Sequence, residues 1–232
     1  MIGTSTFSES YTYNDPEGAA SDAPKDGSLK QMTTATGATI DYAYDELKRL
    51  DTTTVKLAGS SSALYTTDYD YLTNNGKATP LVGIHAVQVG STALVDYRYT
   101  YDNLGNITAI YEGSSPGRIL FSYTYDSQNQ LLSETHYTYS GTSTTATTNV
   151  YSYTYDTAGN ILTEKKNGTT TKTYTYGNTG WRDLLTGFNG TTISYDGAGN
   201  PTSYTNGLCS YSMEWEEGRQ LSYMAFEDEY GQ

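Results

Sequence analysis

The sequence predicts an all-β fold of consecutive antiparallel β-hairpins forming a curved repeat strip. Tyrosines recur in Y-x-Y units at a loose period, apolar and polar side chains alternate with period two around them, and turn residues follow each unit. Composition alone points elsewhere. Of 232 residues, 25 are Tyr, 39 Thr and 23 Gly, while Ile, Leu, Val and Phe together supply only 35. So few core formers beside a net charge of -13 would ordinarily mark a disordered chain. The tyrosines counter this, because their rings are large and apolar enough to line one face of a sheet, and the length suffices for one domain with a sizeable core.

Three segments share one pattern: Tyr99-Thr-Tyr101-Asp102-Asn-Leu-Gly105-Asn106, Tyr153-Thr-Tyr155-Asp156-Thr-Ala-Gly159-Asn160 and Ser194-Tyr195-Asp196-Gly-Ala-Gly199-Asn200. A fourth, Tyr123-Thr-Tyr125-Asp126-Ser-Gln-Asn129, puts Asn where Gly stood, the next most tolerant residue for a left-handed backbone. Degenerate copies are Tyr42-Ala-Tyr44-Asp45, Tyr69-Asp-Tyr71, Tyr174-Thr-Tyr176-Gly177 and Met213-Glu-Trp215-Glu216, with Tyr11-Thr-Tyr13-Asn14 as a first member. The second aromatic recurs every 19 to 31 residues.

Each unit reads as a hairpin. Val95, Tyr97, Tyr99 and Tyr101 alternate with Asp96, Arg98, Thr100 and Asp102, which is the strand period. The D-x-x-G-N that follows fits a type I turn, with Asp capping free amides and Gly at positive φ as a bulge. Return connections carry Asn-Gly at 75–76, 167–168, 189–190 and 206–207, the pair favoured in type I′ turns. Residues 45–50 (DELKRL) are the best helical stretch, yet they stand where a repeat expects its turn. Residues 15–28 and 140–149 read as extended loops, and the prolines fall outside the Y-x-Y strands.

At these residues the sequence resembles the tyrosine-aspartate (YD) repeat of the Rhs family, which includes polymorphic toxins, the C component of insecticidal toxin complexes, wall-associated proteins and teneurins. The resemblance covers roughly residues 40–221 and is strongest over 95–205. It implies a strip of hairpins that spirals into a hollow shell around a C-terminal effector. On it the chain divides into an atypical first repeat with a long loop (1–38), core repeats (39–205) and a terminal unit (206–232), a strip incomplete at both ends. In that unit Met213-Glu-Trp215-Glu216-Glu217-Gly218-Arg219 resembles the family's W-E-x-G-R variant; Gly stands one position early, so its turn should be of another type. The expected partners are the remainder of the strip and its effector, and the expected location is secreted or cell-surface. Free strand edges also predict edge-to-edge self-association.

Charge and composition exclude several functions. With 26 acidic against 13 basic side chains, the surface that neutralises phosphates is missing, so no nucleic-acid partner is expected. No run of about 18 apolar residues predicts a membrane span, and the first residues lack the basic and apolar regions of a signal peptide. Cys209 alone supports neither a disulfide framework nor a cysteine metal site, and no cofactor is implied.

Asp102, Asp126, Asp156 and Asp196 recur at every turn, which a local capping role predicts and a single active site does not. Glu214 and Glu216 stand roughly 6–7 Å apart on one strand face, a spacing that touches the glycosidase range, but charges on a wet face are ordinary. His85 and His136 are isolated, and Asp68 and Asp70 lack calcium-loop spacing. Asn106, Asn167 and Asn189 stand in N-x-T sequons, yet all occupy turn positions that choose Asn for backbone reasons. The expected function is that of a non-enzymatic wall module. The alternative is a surface carbohydrate-binding or adhesion module, with Trp181 and Tyr204 as glycan contacts.

Overall fold

The computed structural model describes residues 8–14, 27–113, 117–206 and 208–228. They form strands joined by turns, with no helix among the described residues. The chain divides into two compact units, residues 1–121 and 122–232. The first carries β1 (Ser10–Tyr13), β2 (Leu29–Thr33), β3 (Thr39–Tyr44), β4 (Leu50–Lys56), β5 (Ala63–Asn74), β6 (Lys77–Val89), β7 (Thr92–Tyr101), β8 (Ile107–Glu112) and the start of β9 (Arg118–Tyr125). The second continues with β10 (Leu131–Tyr139), β11 (Ala146–Tyr155), β12 (Ile161–Lys166), β13 (Thr169–Thr175), β14 (Gly187–Phe188) and β15 (Thr191–Thr192). Then come β16 (Ser194–Tyr195), β17 (Pro201–Thr205), β18 (Cys209–Glu216) and β19 (Gln220–Asp228). Hydrogen-bonded neighbours follow chain order from β1 to β15, and β16 to β19 form a second sheet. Strand follows strand antiparallel, so the fold is an all-β succession of hairpins.

The period-two alternation becomes two faces. In the first unit Tyr69, His85 and Tyr97 align across β5, β6 and β7, and Tyr69 stacks on His85 with centroids 4.9 Å apart at 8°. The opposite face aligns Thr52, Asp68, Ala86 and Asp96. In the second unit Tyr204, Tyr211 and Phe226 align across β17, β18 and β19, the first two stacked at 4.7 Å and 14°. These aromatic pairs stand where an aliphatic core would, each contributing about 0.5–1.5 kcal/mol beyond its buried area. The buried hydrophobic residues among those described are only Ala86, Ala109 and Met213. Most Y-x-Y rings are half-buried, packed between strands.

Several turns differ from their expected form. Asn75-Gly76, Asn167-Gly168 and Asn189-Gly190 have both residues at positive φ, as type I′ requires. Asn206 does not: its side-chain Oδ1 accepts the amides of Leu208 (2.9 Å) and Cys209 (2.8 Å), so it caps a turn as an Asp would. The loop expected over 140–149 shrinks to 140–145, because Thr147, Thr148 and Asn149 pair with Thr138, Tyr137 and His136. Pro80 lies inside β6, between the irregular pairs Tyr71↔Val82 and Thr73↔Ala78, where a missing amide is tolerated. Residues 15–26 of the loop expected over 15–28 lie outside the described residues.

The left-handed turn position supports a prediction. Gly159 has φ 91°, and a Cβ there would also lie 3.1 Å from Gln130 Nε2. Gly159→Ala should lower stability by about 1–2 kcal/mol in a denaturant titration, whereas Asn129→Gly, at φ 63°, should be neutral or stabilising.

Candidate functional site

The recurring Asp builds one hydrogen-bond clamp several times over. Asp102 Oδ1 accepts the amides of Leu104 and Asn106, each at 2.9 Å, and its Oδ2 accepts Asn106 Nδ2 at 2.9 Å. Its own amide donates to Asn106 O, and Gly105 donates to Asp102 O. The same contacts recur at Asp156 with Ala158, Gly159 and Asn160, and at Asp196 with Ala198, Gly199 and Asn200. Asp126 repeats the backbone part on Gln128 and Gln130, with Asn129 left-handed where Gly stood.

The clamp also holds where the sequence had drifted. Asp45 caps Leu47 and Arg49, Lys48 takes the left-handed position at φ 65°, and Arg49 Nε reaches Asp45 Oδ2 at 2.6 Å as Asn106 does. The helical-looking 45–50 segment is therefore a turn: two amides are already satisfied by the carboxylate. Residues 34–38 form a further copy, with Thr34 Oγ1 receiving Ala38 N at 3.1 Å and Gly37 at φ 82°. Only the spacing of Thr34 to Gly37 could have signalled it. In the first repeat Asn14 N donates to Ser28 O and Gly27 N to Asn14 O, so Gly27 and Ser28 take the places of Gly105 and Asn106. In sequence, residues 15–26 separate Asn14 from Gly27. The last unit departs as expected, with Glu217 (φ 46°) and Gly218 (φ 87°) both left-handed.

A second feature links each hairpin to the preceding one. An aromatic of the repeat unit, followed by the turn Asp in the case of Tyr44, Tyr101, Tyr155 and Tyr195, donates to a main-chain carbonyl about 10 to 24 residues upstream. Tyr44 reaches Leu29 O (3.0 Å), Tyr71 Leu50 O (2.8 Å), Tyr101 Val82 O (2.8 Å), Tyr155 Leu131 O (2.8 Å) and Tyr195 Leu185 O (2.6 Å). Trp215 keeps the bond with its indole Nε1, 2.7 Å from Pro201 O. This explains Tyr rather than Phe, since the ring packs between strands while its polar tip satisfies a carbonyl beside the turn. A third contact runs at turn level: Asn200 Nδ2 also donates to Gly218 O at 2.6 Å, Asn160 Nδ2 to Arg182 O at 3.3 Å, and the Arg49 guanidinium to Thr79 O while lying over the Tyr71 ring.

Electrostatics follow from these contacts. Hydrogen bonds from the Asn side chain and then from backbone amides hold the carboxyls of Asp102, Asp156 and Asp196 below the ordinary aspartate range. Burial pushes the pKa of Tyr101, Tyr155 and Tyr195 upward. Tyr153 rises furthest, through burial and then its 2.8 Å bond to Glu134 Oε1.

The remaining candidates fall apart in space or into structural roles. Trp181 packs on Gly199, where a Cβ would meet its ring at 2.3 Å. Tyr204 instead lines a cavity of about 330 Å³ with Leu185, Phe188, Ile193, Tyr195 and Pro201, which does not include Trp181. Glu214 and Glu216 are exposed on β18, with a bulge between Glu214 and Trp215. His136 Nε2 lies 3.2 Å from Glu134 Oε2, and Cys209 O accepts Thr205 Oγ1. Asp51, Asp68, Asp70 and Asp96 line a recess of about 580 Å³, and no group of three or more His, Cys, Asp or Glu among the described residues could hold a metal. The sequon side chains are engaged: Asn167 Oδ1 accepts Val150 N, and Asn189 Oδ1 accepts Thr173 N, each at 2.8 Å.

Two measurements follow. Tyr155→Phe leaves the Leu131 carbonyl without its donor and should cost about 1–2 kcal/mol by denaturant titration, a loss that Tyr155→Trp restores in part. The clamp carboxyls titrate lower when folded than unfolded, so their stabilisation is full above the unfolded aspartate pKa of about 4 and is lost as pH falls through the folded values. Unfolding midpoints should therefore drop below about pH 4, less steeply in Asp156→Asn.

No protein-family model matches the chain, and no curated protein matches it. Among solved structures it is similar, at 15% identity and TM-score 0.44, to TcdB2-TccC3 without its hypervariable C-terminal region, over 96% of this chain and 16% of that one. A TcdB2-TccC3-TEV structure aligns at 18% identity and TM-score 0.42 over 88% of this chain and 13% of that one. A Photorhabdus luminescens Tc holotoxin pore aligns at 18% and 0.41 over 87% and 13%. The chain thus spans 13% to 16% of the length of these solved chains.

Proposed function

We propose that the chain is a non-enzymatic wall segment, a run of hairpins from the strip of an Rhs/YD-type shell that encloses or presents a C-terminal effector. The observation that carries this reading is the ladder of aromatic donors, in which each of six aromatics ties its hairpin to the chain just upstream. Such nearest-neighbour bonding builds a continuous sheet of indefinite length and needs no substrate pocket. The turn aspartates have their oxygens committed to amides and Asn side chains, which suits a scaffold and leaves them poor proton carriers. On this reading the partners are the rest of the strip and its effector, and the working location is secreted or cell-surface. The whole of 1–232 is one stretch of that strip, its two units being successive lengths of it.

The reading frame on either side of these residues tests the proposal. Further Y-x-Y-D repeats on both sides, leading to a conserved core and a short unrelated tip, are expected. A frame that passes within one repeat into a wall anchor would overturn it in favour of the adhesion module, for which a glycan array with Trp181 and Trp215 fluorescence is the check.

A further inference from the structure

Of the Asn-Gly pairs along the chain, three share one two-residue turn: Asn75-Gly76, Asn167-Gly168 and Asn189-Gly190 each place both residues at positive φ between paired strands. The wall reading gives these asparagines only a backbone role. The dipeptide is also chemically labile, because a glycine leaves its main-chain nitrogen unshielded and within reach of the side-chain carbonyl of the residue before it.

The fold sorts the pairs by how firmly the side chain is held. Asn167 is clasped to Val150: its amide donates to Val150 O at 2.7 Å and its Oδ1 accepts Val150 N at 2.8 Å, while its Nδ2 donates to Asn149 Oδ1 at 3.2 Å. Asn189 is clasped to Thr173 in the same way, at 2.9 Å and 2.8 Å. Asn206 Oδ1 carries the amides of Leu208 and Cys209. Asn75 differs from all three. Its side chain is exposed and has no hydrogen-bond partner among the described residues. The Gly76 amide makes no turn hydrogen bond, and a Cβ built on Gly76 would meet nothing within 4 Å, so the nitrogen stands in open surroundings.

We propose that Asn75 is a site of spontaneous covalent modification, where the chain converts its own asparagine to isoaspartate and aspartate through a succinimide. The Gly76 nitrogen gives its proton to hydroxide and attacks Asn75 Cγ. The new Cγ–N bond closes the ring, the Cγ–Nδ2 bond breaks, and the leaving nitrogen takes a proton from water to depart as ammonia. Water then opens the ring at either carbonyl, and nothing is oxidised or reduced. Opening at the main-chain carbonyl routes the chain through Cγ, which adds an atom to the turn. Either opening adds a carboxylate to a chain whose net charge is already -13. The clasps slow the same reaction at 167 and 189, since Cγ cannot swing toward the glycine nitrogen while Oδ1 holds an amide on the neighbouring strand. The inference is independent of the wall reading.

To test it, the full chain is incubated in mildly alkaline buffer, native and in parallel in denaturant. Each Asn-Gly pair is followed by peptide mapping with mass spectrometry and by enzymatic methylation of isoaspartate. In the native chain, acid is expected at 75 roughly five- to tenfold faster than at 167 or 189, the factor that one hydrogen bond supplies, with isoaspartate exceeding aspartate. In denaturant all the pairs should react at similar rates, which traces the native ranking to the fold. Native rates at 167, 189 or 206 that match or exceed the rate at 75, aspartate without isoaspartate at 75, or the same ranking in denaturant would each overturn the proposal. Circular dichroism that stays constant through the incubation shows that the native sample remains folded.

Discussion

A single polar contact, an aromatic donor on one hairpin meeting a main-chain carbonyl on the hairpin before it, is what the rest of the architecture has to accommodate. Tyr101 and Val82 illustrate why it recurs: beside each turn a strand begins before its outer neighbour is in register, which leaves a carbonyl without a ladder partner. A tyrosine reaches that carbonyl from the next hairpin and covers it with its ring, so desolvation and hydrogen bonding are solved by one side chain. With so few buried aliphatic residues among those described, such directional contacts add to the main-chain ladders in tying strand to strand.

The turn acid is the second constraint, and it exists to place that tyrosine. The bulge sits immediately before the clamp, between Thr100 and Tyr101, Thr154 and Tyr155, and Ser194 and Tyr195. The clamp keeps its backbone bonds when Gly becomes Asn129 or Lys48, when Asn becomes Arg49 or Gln130, and when Asp becomes Thr34 or Asn14. Side-chain identity is therefore negotiable at every turn position, provided one oxygen faces the amides and one residue tolerates positive φ.

The hairpins at 99–106, 153–160 and 194–200 were legible because Asp, Gly and Asn each have a local backbone reason to be where they are. Thr34 to Ala38 escaped notice since a hydroxyl in place of a carboxylate is common everywhere in a Thr-rich chain. The aromatic ladder was invisible because its acceptors are carbonyls, which every residue has, and only register selects Leu29 or Leu131 from their neighbours. Asn206 misled because Asn-Gly serves both a left-handed turn and a side-chain cap, and the choice depends on how the flanking strands meet. Trp181 and Tyr204 looked alike as off-pattern aromatics, yet one rests on a glycine and the other lines an apolar cavity, a difference set by tertiary packing alone.

The first turn holds its clamp across twelve intervening residues, from Asn14 to Gly27. Lengthening the intervening segment from two residues to twelve costs about 1.6 kcal/mol in chain entropy, a sum that the hairpin on either side can absorb. Every D-x-x-G-N turn is thus a splice point. Between the second and third turn positions a gene can gain or lose codons while strand register, aromatic donors and sheet continuity stay as they were. In evolutionary terms the turns are free to diversify in length and chemistry while the strand register stays fixed by geometry.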